Sequence, residues 1–177
     1  VTGGMSRTGG ERQPYCRLEA GVDYKLKLWS MGYSKLHLRG GKIFGSVPYP
    51  LLKLHEGNGT YFYDQYAYSC MDYYEFASDK WLSFFYEHHF NGWLLGRIPL
   101  LKRLKWREVI TCKGAWGSLS ERNDGVGGGG AVMLFPNSMS SVRKPYIEAG
   151  VGVENICRLL RVDCIWRLTQ RQRHPDF

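Results

Sequence analysis

Residues 15–28 alternate between apolar and polar side chains, and this alternation constrains the fold more than any other feature of the sequence. Because successive side chains of a strand point to opposite faces, the pattern predicts a β-strand with one apolar face and one charged face. Strands of globular proteins average about five or six residues, whereas about nine to eleven tilted residues cross a bilayer. Residues 15–28 therefore predict a strand that is long enough to span a membrane.

The same pattern returns along the chain and predicts about seven to eight long antiparallel strands. The further segments are 33–44, 61–76, 80–91, 104–117, 146–154 and 161–169, of which 61–76 and 104–117 are the least regular. Short polar runs predict tight turns at 30–32 and 77–79. Residues 118–144, with the glycine run at 125–130, predict a long flexible loop. The expected fold class is therefore all-β and antiparallel.

Charge and cysteine content exclude several classes of function. The 177 residues carry 24 Lys and Arg against 16 Asp and Glu, a net charge of +8, but the basic residues are scattered among apolar ones. A nucleic-acid binder gathers them on one face, so nucleic-acid binding is not expected. The five cysteines show no C-x-x-C spacing, which favours small apolar side chains over a zinc site.

Two architectures contain strands of this kind. In a soluble barrel or sandwich the apolar face points inward, whereas in a transmembrane barrel it faces lipid and the charged face lines the lumen. Glycines on the polar face (Gly21, Gly150, Gly152) favour the transmembrane barrel, and so do aromatic residues near the expected strand ends. These aromatic residues are Trp29, Tyr33, Tyr61, Tyr63, Trp81, Trp93, Trp106, Trp116 and Tyr146. A soluble ligand-binding barrel or sandwich remains the alternative.

The phase of the alternation assigns residues to the two faces of the expected barrel. The charged, lumen-facing set is Arg17, Glu19, Asp23, Lys25, Lys27, Lys35, Arg39, Glu87, His89, Arg107, Lys113, Glu148, Glu154, Arg161, Asp163 and Arg167. The lipid-facing set is Leu18, Val22, Leu26, Leu28, Leu82, Phe84, Tyr86, Ile147, Val151, Val153, Val162, Trp166 and Leu168. Two interpretations of the charged set stay open: ion pairing across a water-filled or plugged lumen, or a cation-rich passage that favours anionic solutes.

No motif in the sequence predicts catalysis, a cofactor or a metal site. Glu87 and His89 share a face with His37, but His88 points the other way, and metal binding is not expected. The glycine run at 125–130 lacks the Gly-Lys-Ser/Thr of a phosphate loop. Neither a G-x-S-x-G nor an H-E-x-x-H motif is present, so the expectation is a protein that is not an enzyme. A lipid hydrolase would need a cluster of serine, histidine and an acid, and would have to use the region of His88 and His89.

Four blocks of the sequence resemble a known family. They are GGKIFGSVPYPLLKLHEGNGTYFYD (40–64), YYEFASDKW (73–81), EHHFNGWLLGRIPLLKRLKWREV (87–109) and EAGVGVENICRLLRVDCIWRLT (148–169). Together they closely resemble the C-terminal barrel of a family of uncharacterised outer-membrane proteins from Bacteroidota. That family carries a domain of unknown function, usually behind an N-terminal carboxypeptidase-regulatory-like domain that is not catalytic. Its barrel is distantly similar to the surface-antigen barrels of the BamA-like superfamily.

The resemblance implies a location, partners and an overall plan. It implies the bacterial outer membrane, with membrane lipid and other envelope proteins as partners and no cofactor. It implies that residues 1–177 are the C-terminal part of one barrel of about sixteen strands, truncated at both ends, without the N-terminal sandwich-like domain and first strands. Counting strands back from the end places connections 45–60 and 92–103 on the periplasmic side and 77–79 on the other. The Arg-Gly-aromatic motif of the superfamily's insertases is missing at 73–81, where a tight turn is expected, which puts protein insertion in doubt.

Overall fold

A seven-stranded antiparallel sheet forms most of the computed structural model, which describes residues 1–8, 11–124, 135–136, 139–142 and 144–171. The strands are β1 (Thr2–Thr8), β2 (Glu11–Lys27), β3 (Tyr33–Phe44), β6 (Lys80–His89), β7 (Arg107–Ser118), β9 (Tyr146–Ile156) and β10 (Leu160–Arg167). The order across the sheet is β1-β2-β3-β6-β7-β9-β10, so that β1 and β10 are the edge strands of an open sheet. The fold class expected from the alternation, all-β and antiparallel, is confirmed.

The alternation stays in phase across the whole sheet, because the strands pair in a continuous register. One cross-strand row contains Lys25, Lys35, Glu87, Thr111, Gly150 and Ile165. A neighbouring row contains Asp23, His37, Phe85, Lys113, Glu148 and Arg167. Directly opposed residues share a face of a sheet, so both rows lie on the same side. We call this side the inner face, and the opposite side, which carries Leu82, Val151 and Val162, the outer face.

Two connections of different length meet at one end of the sheet. A 3-10 turn at Trp29–Met31 links β2 to β3, and Gly32 follows it with a φ of 95°, in the region that favours glycine. A Cβ at position 32 would collide with the carbonyl oxygen of His89, so the close approach of β3 and β6 also requires glycine here. The β6–β7 connection at the same end contains the helix α1 (Pro99–Leu104). None of the helices in the described chain is long and apolar enough to cross a membrane.

The connection between β3 and β6 is long and folds back over the inner face. We call residues 45–79 the inner segment. It contains β4 (Lys53–Leu54) and β5 (Phe76–Ser78), which form a small sheet with β8 (Ser140–Ser141). Tyr68, Met71 and Phe76 of the segment pack against inner-face residues of the large sheet, and the buried cluster is completed by Phe85, Ala115, Val142 and Tyr146. The hydrophobic core therefore lies between the inner segment and the inner face.

The prediction of a strand at 61–76 was wrong, since these residues form turns and irregular structure up to β5. Aromatic residues are enriched there as in a strand, but local side chains bind the backbone instead. Asp64 Oδ1 accepts the Tyr66 amide at 2.8 Å, and Asn58 Oδ1 accepts the Thr60 amide at 3.0 Å. Nor is 77–79 a hairpin turn, because it belongs to β5 and the entry into β6. The sheet still has seven strands, because β1, which was not predicted, takes the place of the strand predicted at 61–76.

Because residues 61–76 do not form a strand, the expected placement of the connections also changes. Because β3 pairs directly with β6, the inner segment leaves the sheet at the end opposite to 92–103. The two connections therefore do not lie on the same side, as the strand count had placed them. Of the aromatic residues expected at the membrane boundaries, Trp81 and Tyr146 are instead buried, while Tyr63 lies half-buried against the inner face. The glycine run at 125–130 lies outside the described residues.

Candidate functional site

The charged inner face is the candidate site, because its side chains hold the inner segment in place. Lys113 and Glu148 occupy paired positions on β7 and β9, and both residues are 1% exposed. Lys113 Nζ donates to the backbone oxygens of Asp64 at 2.7 Å and Ala67 at 2.5 Å. Buried ionised groups require such partners, and here the inner segment provides them.

Glu148 makes the complementary contacts to the same stretch of the inner segment. Its carboxylate accepts the backbone amides of Ser69 at 2.8 Å and Cys70 at 2.9 Å. It also accepts the Tyr146 hydroxyl at 2.9 Å, and Lys113 Nζ lies 4.0 Å away. Lys113 and Glu148 together therefore fix residues 64–70 by both their carbonyls and their amides.

Arg167 on β10 anchors the far end of the inner segment. Its guanidinium makes a two-pronged ion pair with Glu75, at 2.6 Å and 3.1 Å, and donates to the Cys70 carbonyl at 3.2 Å. It also lies over the Tyr146 ring, 4.9 Å from the centroid. Bidentate arginine–carboxylate pairs are among the stronger polar contacts in proteins because both hydrogen bonds are charge-assisted.

Glu87 on β6 is the centre of a second network. It accepts the Tyr63 hydroxyl from the inner segment and lies 3.4 Å from Arg161 Nη2 and 3.5 Å from Lys35 Nζ. The Arg161 guanidinium also pairs with Asp163 and stacks over Tyr63 at 4.1 Å. Glu87 thus balances cations from two other strands while it holds the middle of the inner segment.

His89 extends this network toward the end of the sheet. Its Nε2 lies 3.2 Å from Glu87 and its Nδ1 lies 3.0 Å from Glu154, and its ring stacks on Tyr33 at 4.5 Å. His37 does not join it, because it pairs with Asp23. His88 lies on the outer face, with its Nδ1 2.8 Å from Ser34 Oγ. Among the described residues no group of three or more His, Cys, Asp or Glu could hold a metal ion.

Burial shifts the pKa of several groups in the inner segment. His55 is 1% exposed and has a pKa lowered to about 3, mainly by desolvation and also by nearby Lys53. Its Nε2 lies 3.2 Å from Ser78 Oγ. Desolvation likewise raises the pKa of the Tyr63 and Tyr68 hydroxyls and of the Cys70 thiol. The inner segment is therefore held with His55 neutral and with both tyrosines protonated.

Only part of the charged set predicted from the sequence meets the inner segment. Lys35, Glu87, Lys113, Glu148, Arg161 and Arg167 contact it directly, while His89, Glu154 and Asp163 support those contacts. Arg17 pairs with Glu19 on the same strand at 2.9 Å. The remaining charged residues are exposed: Asp23, Lys25, Lys27, Arg39 and Arg107.

Sequence reasoning missed the partners that the inner segment supplies. Tyr63 and Glu75 lie in it, within residues 61–76 that were wrongly predicted as a strand; Tyr63 was predicted only as an aromatic residue at a membrane boundary, and Glu75 was assigned no role. Asp79 and Asn123 were also missed: Asp79 Oδ2 accepts the Ser120 amide at 3.0 Å, and Asn123 Oδ1 accepts the Val47 amide at 3.0 Å. These bonds tie both ends of the inner segment to the loop that follows β7.

The outer face shows the opposite composition and is exposed. Val22 is 61%, Val151 50% and Trp166 53% exposed. Of the residues expected to face lipid, the exposed ones are Leu18, Val22, Leu26, Leu28, Leu82, Ile147, Val151, Val162, Trp166 and Leu168, while Phe84, Tyr86 and Val153 are half-buried. The sheet thus buries the charged side chains of its middle strands beneath the inner segment and exposes its apolar side, which is the reverse of a soluble protein.

The family was identified by comparison with family models. Residues 1–119 match the model described as "Family of unknown function (DUF5686) C-terminal domain". The chain belongs to this family. Comparison with curated proteins and with solved structures finds no significant match. Membership in the DUF5686 C-terminal domain family assigns no activity. The contrast between the charged inner face and the apolar outer face is the feature that bears on function.

Proposed function

We propose that the chain forms part of the wall of an outer-membrane β-barrel whose interior is filled by the inner segment. The observation that carries the proposal is the inverted polarity of the sheet. Lys113 and Glu148 are 1% exposed on one face, while Val151 is 50% and Val22 61% exposed on the other. A continuous exposed apolar face marks a surface that another apolar medium covers, and lipid covers this face in transmembrane barrels.

The dimensions of the strands support the same proposal. β2 has 17 residues, β3 and β7 have 12 each, and β9 has 11. About nine to eleven tilted residues cross the hydrocarbon core, so these strands are long enough. In lipid every strand edge must be paired, so the proposal expects β1 and β10 to pair with further strands. A soluble barrel or sandwich would instead turn Leu26 and Val151 inward, and both are exposed here.

We further propose that this barrel has a structural, transport or surface-assembly role and is not an enzyme. In the described part of the outer face, one serine–histidine contact is present, between Ser34 Oγ and His88 Nδ1 at 2.8 Å. Within the described residues, no carboxylate is hydrogen-bonded to His88, so the third group that orients a catalytic histidine is missing from this pair. Hydrolysis of phospholipid by the purified protein, abolished by Ser34→Ala, would overturn this part of the proposal.

Heat-modifiable migration on a gel tests the barrel directly. The full-length protein, extracted from membranes in detergent, is expected to migrate at a different apparent mass before and after boiling, because closed barrels resist the detergent until heated. It is also expected to fractionate with outer membranes. Recovery of folded full-length protein in the soluble fraction, without detergent, would overturn the proposal.

A further inference from the structure

An open groove remains on the inner face where the inner segment does not reach. It lies at the end of the sheet that carries the Trp29–Met31 turn and has a volume of about 580 Å³. Its lining comes from five adjacent strands, β2, β3, β6, β7 and β9, and from the turns that follow them. Ligand sites for small molecules have volumes of about 300–1,000 Å³, so the groove has the size of a binding site.

The groove carries an excess of positive charge without matching anions. Lys25, Lys27 and Arg107 line it, and among the described residues none of the three has an ion pair within 4.0 Å. The one carboxylate in the lining, Glu154, lies opposite Arg107 in the register of β7 and β9, but its side chain is bonded to His89 at 3.0 Å. Elsewhere on the inner face Lys35 and Arg161 are matched by Glu87, and Arg167 by Glu75, while the exposed Arg39 has no ion pair within 4.0 Å among the described residues.

The strand register increases this imbalance. Lys25 is paired directly with Lys35 across β2 and β3, and like charges in opposed positions destabilise a sheet. Lys35 forms an ion pair with Glu87 at 3.5 Å, while the ammonium group of Lys25 lies over the Tyr33 ring, 4.5 Å from its centroid. An anion in the groove would relieve the repulsion and would bind Lys25, Lys27 and Arg107 together.

The floor of the groove adds a flat aromatic surface. Tyr33 and His89 stack with an interplanar angle of 15°, and Trp29 adds further ring surface. Three cations match the charge of a phosphate monoester better than that of a single carboxylate, and Arg binds phosphate oxygens with two parallel hydrogen bonds. The aromatic floor suits a ring or chain attached to that phosphate.

We propose that this groove binds a phosphate monoester carried on an apolar or aromatic group. The phosphate lies between Lys25, Lys27 and Arg107, and the apolar group lies on the stacked rings of Tyr33 and His89. The inference goes beyond the proposed function and uses it only to place the groove at one mouth of the barrel. Two sources share this chemistry, a lipid headgroup and a soluble phosphorylated molecule.

Isothermal titration calorimetry of the full-length protein in detergent tests the site. The probes are phenyl phosphate, for a soluble ligand, and dihexanoyl phosphatidic acid, for a lipid headgroup, with phenol as the uncharged control. We expect saturable binding of at least one phosphate compound, weaker at high salt, and no binding of phenol. Which of the two binds identifies the source.

Variants locate the site on the structure. Lys27→Gln combined with Arg107→Gln is expected to weaken binding at least tenfold, while Lys27→Arg keeps it. Lys42→Gln, which removes an exposed lysine of β3 outside the groove, is the matched control and is expected to bind as the wild type does. Absence of binding by both phosphate compounds, equally tight binding of phenol, or equal losses in Lys42→Gln would overturn the site. Heat-modifiable migration is followed in parallel, so that failure of the barrel proposal is seen separately.

Discussion

Lys113 and Glu148 face each other across β7 and β9, and each binds the same stretch of the inner segment through a different kind of backbone group. Lys113 donates hydrogen bonds to the carbonyls of Asp64 and Ala67, while Glu148 accepts hydrogen bonds from the amides of Ser69 and Cys70. A buried ion pair alone adds little stability, since desolvation offsets the attraction. The pair therefore acts as a clamp, by which we mean that its hydrogen bonds hold residues 64–70 in one path over the inner face.

Glu148→Gln is expected to loosen residues 64–70 without unfolding the sheet. The glutamine amide nitrogen cannot accept a hydrogen bond, so one of the two backbone amides loses its partner, at a cost of about 1–3 kcal/mol. Hydrogen exchange in residues 64–70 should become about tenfold faster or more, while exchange in β7 and β9 stays unchanged. Glu19→Gln, which removes an exposed carboxylate that is bonded to Arg17 and, among the described residues, does not contact the inner segment, is the control. Unchanged exchange in Glu148→Gln would contradict the clamp.

Arg167 and Glu75 are expected to be energetically coupled in holding the inner segment. The readout is the labelling rate of Cys70, whose thiol lies 3.7 Å from the Ile165 carbonyl, in a background with Cys16, Cys112, Cys157 and Cys164 replaced by Ala. Arg167→Gln and Glu75→Gln should each speed labelling. The double variant should be less affected than the sum, with a coupling energy of about 1–3 kcal/mol.

The matched control for this cycle is the Arg17–Glu19 pair, whose atoms lie 2.9 Å apart on β2 and do not touch the inner segment. Arg17→Gln should leave Cys70 labelling unchanged. Additive effects of Arg167→Gln and Glu75→Gln would show that the two residues act independently and that their ion pair does not hold the segment.

The sequence was sufficient to predict the two faces of the sheet, because strand alternation depends only on the order of residues within each strand. Lys35 and Glu87 were placed on one face, and the register puts them in adjacent positions of one row. The prediction needed no knowledge of which strands pair. The same local rule identified Val151 and Val162 as members of the other face.

The path of the inner segment could not be predicted in that way. Its aromatic residues resemble a strand, and what separates it from one is contact with residues far along the chain. Tyr68 donates to the Gly114 carbonyl at 2.8 Å, and Glu75 reaches Arg167 on the edge strand β10. These contacts depend on the register of strands that the segment crosses, so no local window of sequence contains them.

Acid is expected to weaken the docking of the inner segment through His55. Its pKa is lowered to about 3 in the folded chain because burial disfavours the charged ring. An exposed histidine has a pKa of about 6.5, so the open segment takes up a proton that the docked segment does not. The contribution of neutral His55 to docking is fully present above about pH 6.5 and is lost as the pH falls toward 3. At pH 5 the loss amounts to about 2 kcal/mol.

Hydrogen exchange around β4 and β5, corrected for the intrinsic pH dependence of exchange, measures this effect. Protection should fall between pH 6.5 and pH 5 in the wild type and should stay nearly level in His55→Gln, which cannot titrate. An equal loss of protection in both proteins would assign the pH dependence to another group.

Arginine on the outer face is expected to block insertion into a bilayer. Val22→Arg and Val151→Arg each place a charge on the outer face, which the barrel proposal assigns to lipid. Val22 is 61% exposed and Val151 is 50% exposed. At the middle of a bilayer an arginine on the lipid face of a barrel costs about 2–4 kcal/mol. The measurement is the folding free energy of the full-length protein in lipid vesicles, from urea titration. Lys25→Leu, which removes a charge from an exposed inner-face residue with little change in volume, should insert normally. A protein that tolerates both arginines and folds equally well without lipid would show that water, and not lipid, covers the outer face.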